Sequence, residues 1–206
     1  MTTREHQMVA EFAQTFGHPF HTQPVDPLRK TRKLRVALME EEYQETIAAA
    51  AALDIIEVAD GCGDVGYIAH GTLHAYGLPY KPSIITGPPV GLARAIARYL
   101  HTEKEFLRGA YMFTHNVALN QGLSDLAHTL NQILVEVRVI ARDYGIPYDK
   151  VFAEIHASNM SKLGDDGKPI YLPSGKVGKG PNYFKPDIRR ILVAAHHPIV
   201  TAEDAA

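Results

Sequence analysis

The chain has 206 residues, of which 46% are hydrophobic and 21% charged, enough for one domain with a sizeable core and too apolar for a disordered one. A single cysteine, Cys62, excludes a disulfide framework and a cysteine-rich zinc site, and a net charge of −2 argues against a nucleic-acid binder. No run of about 18 apolar residues suggests a membrane span, and the opening MTTREHQMVAEF lacks a secretory layout, so no membrane partner and a cytoplasmic location are expected.

In chain order, Val9–Phe16 reads as a short amphipathic helix stopped by Gly17 and Pro19. A proline-containing loop follows, then a long helix over Arg29–Ala52 that neither Gly nor Pro interrupts. Asp54–Tyr76 is a second helix, ended by Gly77 and Pro79. Its interior glycines, Gly61, Gly63, Gly66 and Gly71, lower helix propensity and point either to close packing or to room for a metal. Lys81–Val90 reads as a loop, Gly91–Asn120 and Ser124–Tyr144 as two helices, and Tyr148–Ser161 as another. Gly164–Pro186 is a loop rich in Gly and Lys, with room for a small hairpin. The class is therefore all-α.

Two helix ends repeat. HAYGLPY at 74–80 matches RDYGIPY at 142–148, an offset of 68 that pairs Glu57 with Asp125, Asp60 with His128 and Asp64 with Gln132. Five of the 24 positions from 57 to 80 are identical to their counterparts, so the likeness lies in the helix end more than in the helix body. It reads either as a common way to stop a helix or as a duplicated unit whose second copy has lost its acids.

Charge is segregated. Between Arg35 and Lys81 there is no lysine or arginine, while eight carboxylates occur: Glu40, Glu41, Glu42, Glu45, Asp54, Glu57, Asp60 and Asp64. On a helix, Glu41, Glu42 and Glu45 project from neighbouring faces, and Glu57, Asp60 and Asp64 form one stripe. Like charges this close repel, and nothing basic lies nearby in sequence. Hard divalent cations such as Mg²⁺ take oxygen ligands and would neutralise the cluster. The span 162–190 is the reverse, with five lysines and two arginines against three aspartates. Acids that want cations and a basic loop that wants anions together suggest a metal-bound polyphosphate. The eleven histidines show no HExxH spacing and read mostly as surface or hydrogen-bonded core residues.

These residues carry a resemblance. EEYQE (Glu41, Glu42, Glu45) followed by EVAD (Glu57, Asp60) resembles the EExxE…ExxD signature of the all-α nucleoside triphosphate pyrophosphatases, the MazG/HisE-like superfamily. The tail VFAEIHASNMSKLGDDGKPIYLPSGKVGKGPNYFKPDI, residues 151–188, is similar to the phosphoribosyl-ATP pyrophosphohydrolase-like branch, as is the opening Val9–Pro19. The likeness covers about 5–80 and 145–190, leaving 81–144 as a helical insertion in one MazG-like bundle spanning 1–206.

The resemblance implies Mg²⁺-dependent hydrolysis of a nucleoside triphosphate to monophosphate and diphosphate, with Mn²⁺ as a substitute. Glu41, Glu42, Glu45, Glu57, Asp60 and Asp64 would hold two or three ions, and Glu42 would act as general base. Asn159, Lys162, Lys179, Asn182 and Tyr183 would meet the substrate, with Gly178 and Gly180 allowing close backbone approach. Assembly as a homodimer or homotetramer is implied, unless the insertion replaces a partner helix. Two other readings stand beside this one: the phosphoribosyl-ATP diphosphatase of histidine biosynthesis, and a non-catalytic nucleotide-binding module.

Overall fold

A computed structural model describes residues 3–82, 89–108 and 115–198. Seven helices occur there: α1 Arg4–Thr15, α2 Arg29–Ala51, α3 Ile55–Tyr76, α4 Leu92–Arg108, α5 His115–Asp143, α6 Tyr148–Met160 and α7 Ile188–Ala194. Among the described residues the only β feature is an isolated antiparallel bridge between Tyr171 and Val177, the small hairpin of the glycine-rich loop. The class is all-α.

The central element is α3. Its start is fixed by Asp54, whose carboxylate accepts from the N–H groups of Ile56 and Glu57 at 3.0 and 3.3 Å. Its end is fixed by Gly77 at φ 62°, a left-handed conformation that a side chain resists. Eighteen of its 22 residues are buried, so it is enclosed on every side rather than amphipathic. The interior glycines serve that packing. A Cβ at Gly61 would strike Thr46 of α2, at Gly63 Ile155 of α6, and at Gly66 Tyr148 of α6. Each glycine costs helix propensity of about 1 kcal/mol, which close approach of the neighbouring helices offsets.

The α2–α3 hairpin packs against α5, α4 lies on α5 and α2, and α1 and α6 cover the remaining side of α3. The core runs through these contacts with Met39, Leu73, Tyr76, Ile96, Tyr99, Leu126, Leu130 and Phe152 fully buried. The side chains of α5 also fasten the connection into α4. Asn131 accepts from the Lys81 N–H at 2.7 Å, and Glu136 accepts from the Val90 N–H at 2.8 Å.

Three boundaries differ from the sequence pattern. α1 begins five residues earlier, at Arg4, with Thr3 as its cap. Inside the span expected as one Gly91–Asn120 helix, α4 is described over Leu92–Arg108 and α5 from His115. The break expected at 121–123 is absent, because α5 runs unbroken through Gly122, which is buried. The middle of the expected Lys81–Val90 loop and residues 109–114 lie outside the described residues.

Candidate active site: an acid-lined cleft

A cleft of about 620 Å³ opens between α1, α2, α3, the end of α6 and the glycine-rich loop. Glu41 and Glu42 reach it from α2, and Asp60 and Asp64 from α3. The hairpin makes this possible: α2 and α3 are antiparallel, with Thr46 opposite Gly61 and Arg35 opposite Gly71. The eight carboxylates of the span therefore separate into groups. Glu42, Asp60 and Asp64 are half-buried, whereas Glu41, Glu45 and Glu57 are exposed around them. Asp54 is the cap of α3, and Glu40 faces Lys104 of α4 at 3.7 Å.

Crowding moves the titration of the inner acids upward. Burial, then the charges of Glu45, Glu41 and Asp60, raise the Glu42 pKa to about 7. Burial and Glu57 raise that of Asp60 to about 6. Asp64 is pushed well above the usual carboxylate range by burial, with Asp60 and Glu42 adding to it. The shifts come first from burial and then from like-charge crowding, which Lys176, Lys185 and Lys162 only partly offset.

The basic tail folds back over the acids, so their isolation in sequence does not survive folding. Lys176 pairs with Glu41, and Lys185 lies 3.7 Å from Glu57. Lys162 sits near Asp64, and burial lowers its pKa, with Lys179 adding repulsion. The cations come from more than 80 residues away, which is why local reading of the acid span found none.

Among the tail residues singled out from sequence, Asn159, Lys162, Lys179 and Tyr183 line the cleft. Lys162 Nζ donates to Asn159 Oδ1 at 2.6 Å, and Lys179 Nζ lies 4.5 Å from the centre of the Tyr183 ring. Asn182 does not join them; it is exposed and its amide reaches Asp165 at 3.5 Å. Gly180 does allow close backbone approach, but to the chain's own Leu163 carbonyl. Sequence reading missed four basic lining residues: His18, Arg35, Lys176 and Lys185. Arg35 carried a signal, since it stands seven residues before Glu42 on the same face of α2.

The donor chemistry of the cleft fits hard divalent cations. All the acidic donors are oxygens, and Asp60 Oδ1 is buried without a hydrogen-bond partner. Among the described residues, no three His, Cys, Asp or Glu side chains are drawn together into a closed ligand group. The carboxylates thus share a cleft without forming a finished cage. Also among the described residues, no helix is long and apolar enough to cross a membrane.

Comparison with known proteins agrees with this geometry. Residues 9–85 match the family model described as phosphoribosyl-ATP pyrophosphohydrolase. That stretch holds His18, Arg35 and all six cleft-region acids, and it ends before α4 begins. A protein of Acanthamoeba polyphaga mimivirus, "Uncharacterized protein L479", is 28% identical over an alignment covering 77% of this chain and 70% of its own length. No solved structure matches. The family is generally dependent on a divalent metal and supports a pyrophosphohydrolase activity. Residues 9–85 are thus similar to the phosphoribosyl-ATP pyrophosphohydrolase family, within an all-helical chain, consistent with the MazG/HisE-like superfamily.

Proposed function

We propose that the protein is a Mg²⁺-dependent nucleoside triphosphate pyrophosphatase, converting a (d)NTP and water to (d)NMP and diphosphate. The observation that carries the reading is the meeting, in one cleft, of half-buried Glu42, Asp60 and Asp64 with Lys162, Lys176 and Lys179. Acids for cations and lysines for phosphates are the two halves of a site for a metal-bound polyphosphate. Mg²⁺ held by Glu41, Glu42, Glu45, Glu57, Asp60 and Asp64 would orient the phosphates, acidify a water and stabilise the leaving diphosphate.

The chain's own groups divide the remaining work. Glu42, with its pKa raised to about 7, is matched to taking a proton from water near neutral pH. Water oxygen bonds to the α-phosphorus, the bond from that phosphorus to the bridging oxygen breaks, and diphosphate leaves. Lys162 and Lys179 offset phosphate charge as they do so. Tyr183, held beneath Lys179, offers a flat face at the rim of the cleft.

The family description favours phosphoribosyl-ATP as a second substrate candidate. Self-association as a homodimer or homotetramer belongs to the proposal, although α4 and α5 already cover α2 and α3 within one chain. Screening the NTPs, dNTPs, dUTP and phosphoribosyl-ATP with Mg²⁺, with products resolved by chromatography, tests the reaction. Monophosphate and diphosphate are expected; nucleoside diphosphate and orthophosphate would reject attack at the α-phosphorus.

A further inference from the structure

The cleft has a second end, which the phosphate chemistry does not use. Arg35 precedes Glu42 by seven residues on α2, which is about 10 Å along the axis, and Gly71 follows Asp64 by seven on the antiparallel α3. This end is lined by Phe12, Leu34, Leu38 and Ile68, with two polar side chains among them, His18 and Arg35.

Both polar groups have unmet bonding capacity. Arg35 is 7% exposed, and its Nε has no hydrogen-bond partner; neither has the buried Nε2 of His18. A buried donor on a cation is costly to leave unmade, so such atoms mark a place where something binds. The room is built in: a Cβ at Gly71 would come within 2.8 Å of Arg35 Nη1. Burial lowers the Arg35 pKa, a shift that the neighbouring Glu103 carboxyl opposes. Burial, with Arg35 nearby, holds the His18 pKa down to about 4, so the imidazole is neutral at physiological pH and Nε2 is able to accept. The Phe12 ring, 5.4 Å from the His18 ring, supplies an aromatic wall.

A guanidinium donates only, and a neutral imidazole nitrogen accepts. The pair is therefore complementary to a –CO–NH– edge. We propose that this end is a nucleobase subsite selecting a lactam base such as guanine, hypoxanthine, uracil or thymine, with Arg35 Nε–H donating to the ring carbonyl and His18 Nε2 accepting from the adjacent ring N–H. Adenine presents the reverse order of donor and acceptor, and cytosine lacks the ring N–H. The apolar end, separated from the acids by two helical turns, places the base away from the metals and the phosphates beside them. This rests on the reading of the cleft as a nucleotide site, and it makes Arg35 and His18 specificity-determining residues.

The test is calorimetric binding of IMP, UMP, AMP and CMP in the presence of Mg²⁺, with hydrolysis of the matching triphosphates run in parallel. The wild type should bind IMP and UMP about tenfold or more tightly than AMP and CMP, since a site built for hydrogen bonds rejects a ligand that leaves them unpaired. His18→Ala should bring that ratio near one, and Arg35→Lys should reduce it. The wild-type ratio stands as a test even if a variant fails to fold. Equal binding of all four monophosphates alongside normal hydrolysis would overturn the subsite and leave the pyrophosphatase reading intact. A preference lost in Tyr183→Ala but kept in His18→Ala would overturn it too, placing the base at the rim. Neither binding nor hydrolysis of any nucleotide would overturn the underlying reading as well.

Discussion

α3 and α5 end alike and are built for different work. In α3 the N–H groups of Gly77 and Leu78 return to the carbonyls of His74 and Leu73 at 3.1 and 2.8 Å. In α5 those of Gly145 and Ile146 return to Arg142 and Ala141 at 3.1 and 2.7 Å. Both glycines are left-handed, at φ 62° and 70°, and each is followed by an aliphatic residue, Pro and Tyr. The bodies of the helices then diverge. Asp60 and Asp64 of α3 face α2 acids across a cleft. At the matching positions, His128 is half-buried and Gln132 is buried and donates to Glu136 at 2.6 Å. Stopping a helix is a local affair of backbone bonds, so it recurs cheaply; chemistry depends on what the facing surface supplies.

The largest expected break in the comparison is Glu42→Gln. It should lower turnover by about 10²–10⁴-fold, the usual worth of a positioned acid–base group, with the fold intact by circular dichroism. Lys162→Ala comes next. A charge-assisted contact to phosphate is worth roughly 1.5–3 kcal/mol, so kcat/KM should fall about 10–150-fold while Mg²⁺ binding, followed by calorimetry, persists.

The two cap glycines sharpen the comparison at the level of stability. Alanine at Gly145 would meet only the His197 ring at ordinary contact distance and should cost about 1 kcal/mol of left-handed strain. Alanine at Gly77 would add a collision with the Gln23 carbonyl, part of the loop that bonds to the end of α3. Its cost in urea denaturation should exceed that of Gly145→Ala by about 1–3 kcal/mol; equal costs would mean that the loop yields freely.

pH tests the acid floor without substrate. Glu42 and Asp60 titrate near 7 and 6 when folded, above their ordinary values of 4.5 and 3.8. The native state thus holds more protons than the unfolded one in that interval. Their contribution is full below about pH 4 and is lost as pH rises through 6 to 7. Burial lowers His6 to about 3 and His18 to about 4, and these act oppositely: their contribution is lost as pH falls below 6.5. Metal-free wild type compared with Glu42→Gln cancels the histidines, so the variant should gain in relative melting temperature from pH 4.5 to 7. A constant difference would remove the crowding argument. The smallest effect is expected on α5, where Asp125 is exposed and accepts a hydrogen bond from the Gln121 amide at 2.9 Å. Asp125→Asn and His128→Ala should leave turnover within about threefold, below the range of an acid–base group; a collapse there would give α5 a site of its own.

Much of this was legible in the sequence, for reasons that are local. The all-α class, the helix ends at Gly77 and Gly145, and the stripes of acids on α2 and α3 depend on spacing along a helix and on backbone conformation, both carried by residues a few positions apart. The false break at 121–123 shows the limit: Gly122 and the polar residues beside it weaken a helix, but Leu123, Leu126 and Leu130 bury in the core and hold it through.

The tertiary structure decided the rest. That Glu40 faces α4, while Glu41, Glu42, Asp60 and Asp64 share the cleft, follows from which helices pack on which sides of α2 and α3. Lys176 and Lys185 meet Glu41 and Glu57 only because the glycine-rich loop folds back across more than 100 residues of chain. Arg35 read as the edge of an acidic run; in the fold it lies buried beneath Gly71 with an unpaired Nε. Burial and electrostatic neighbourhood are sums over everything that surrounds a group in space, and a linear sequence lists only the neighbours along the chain.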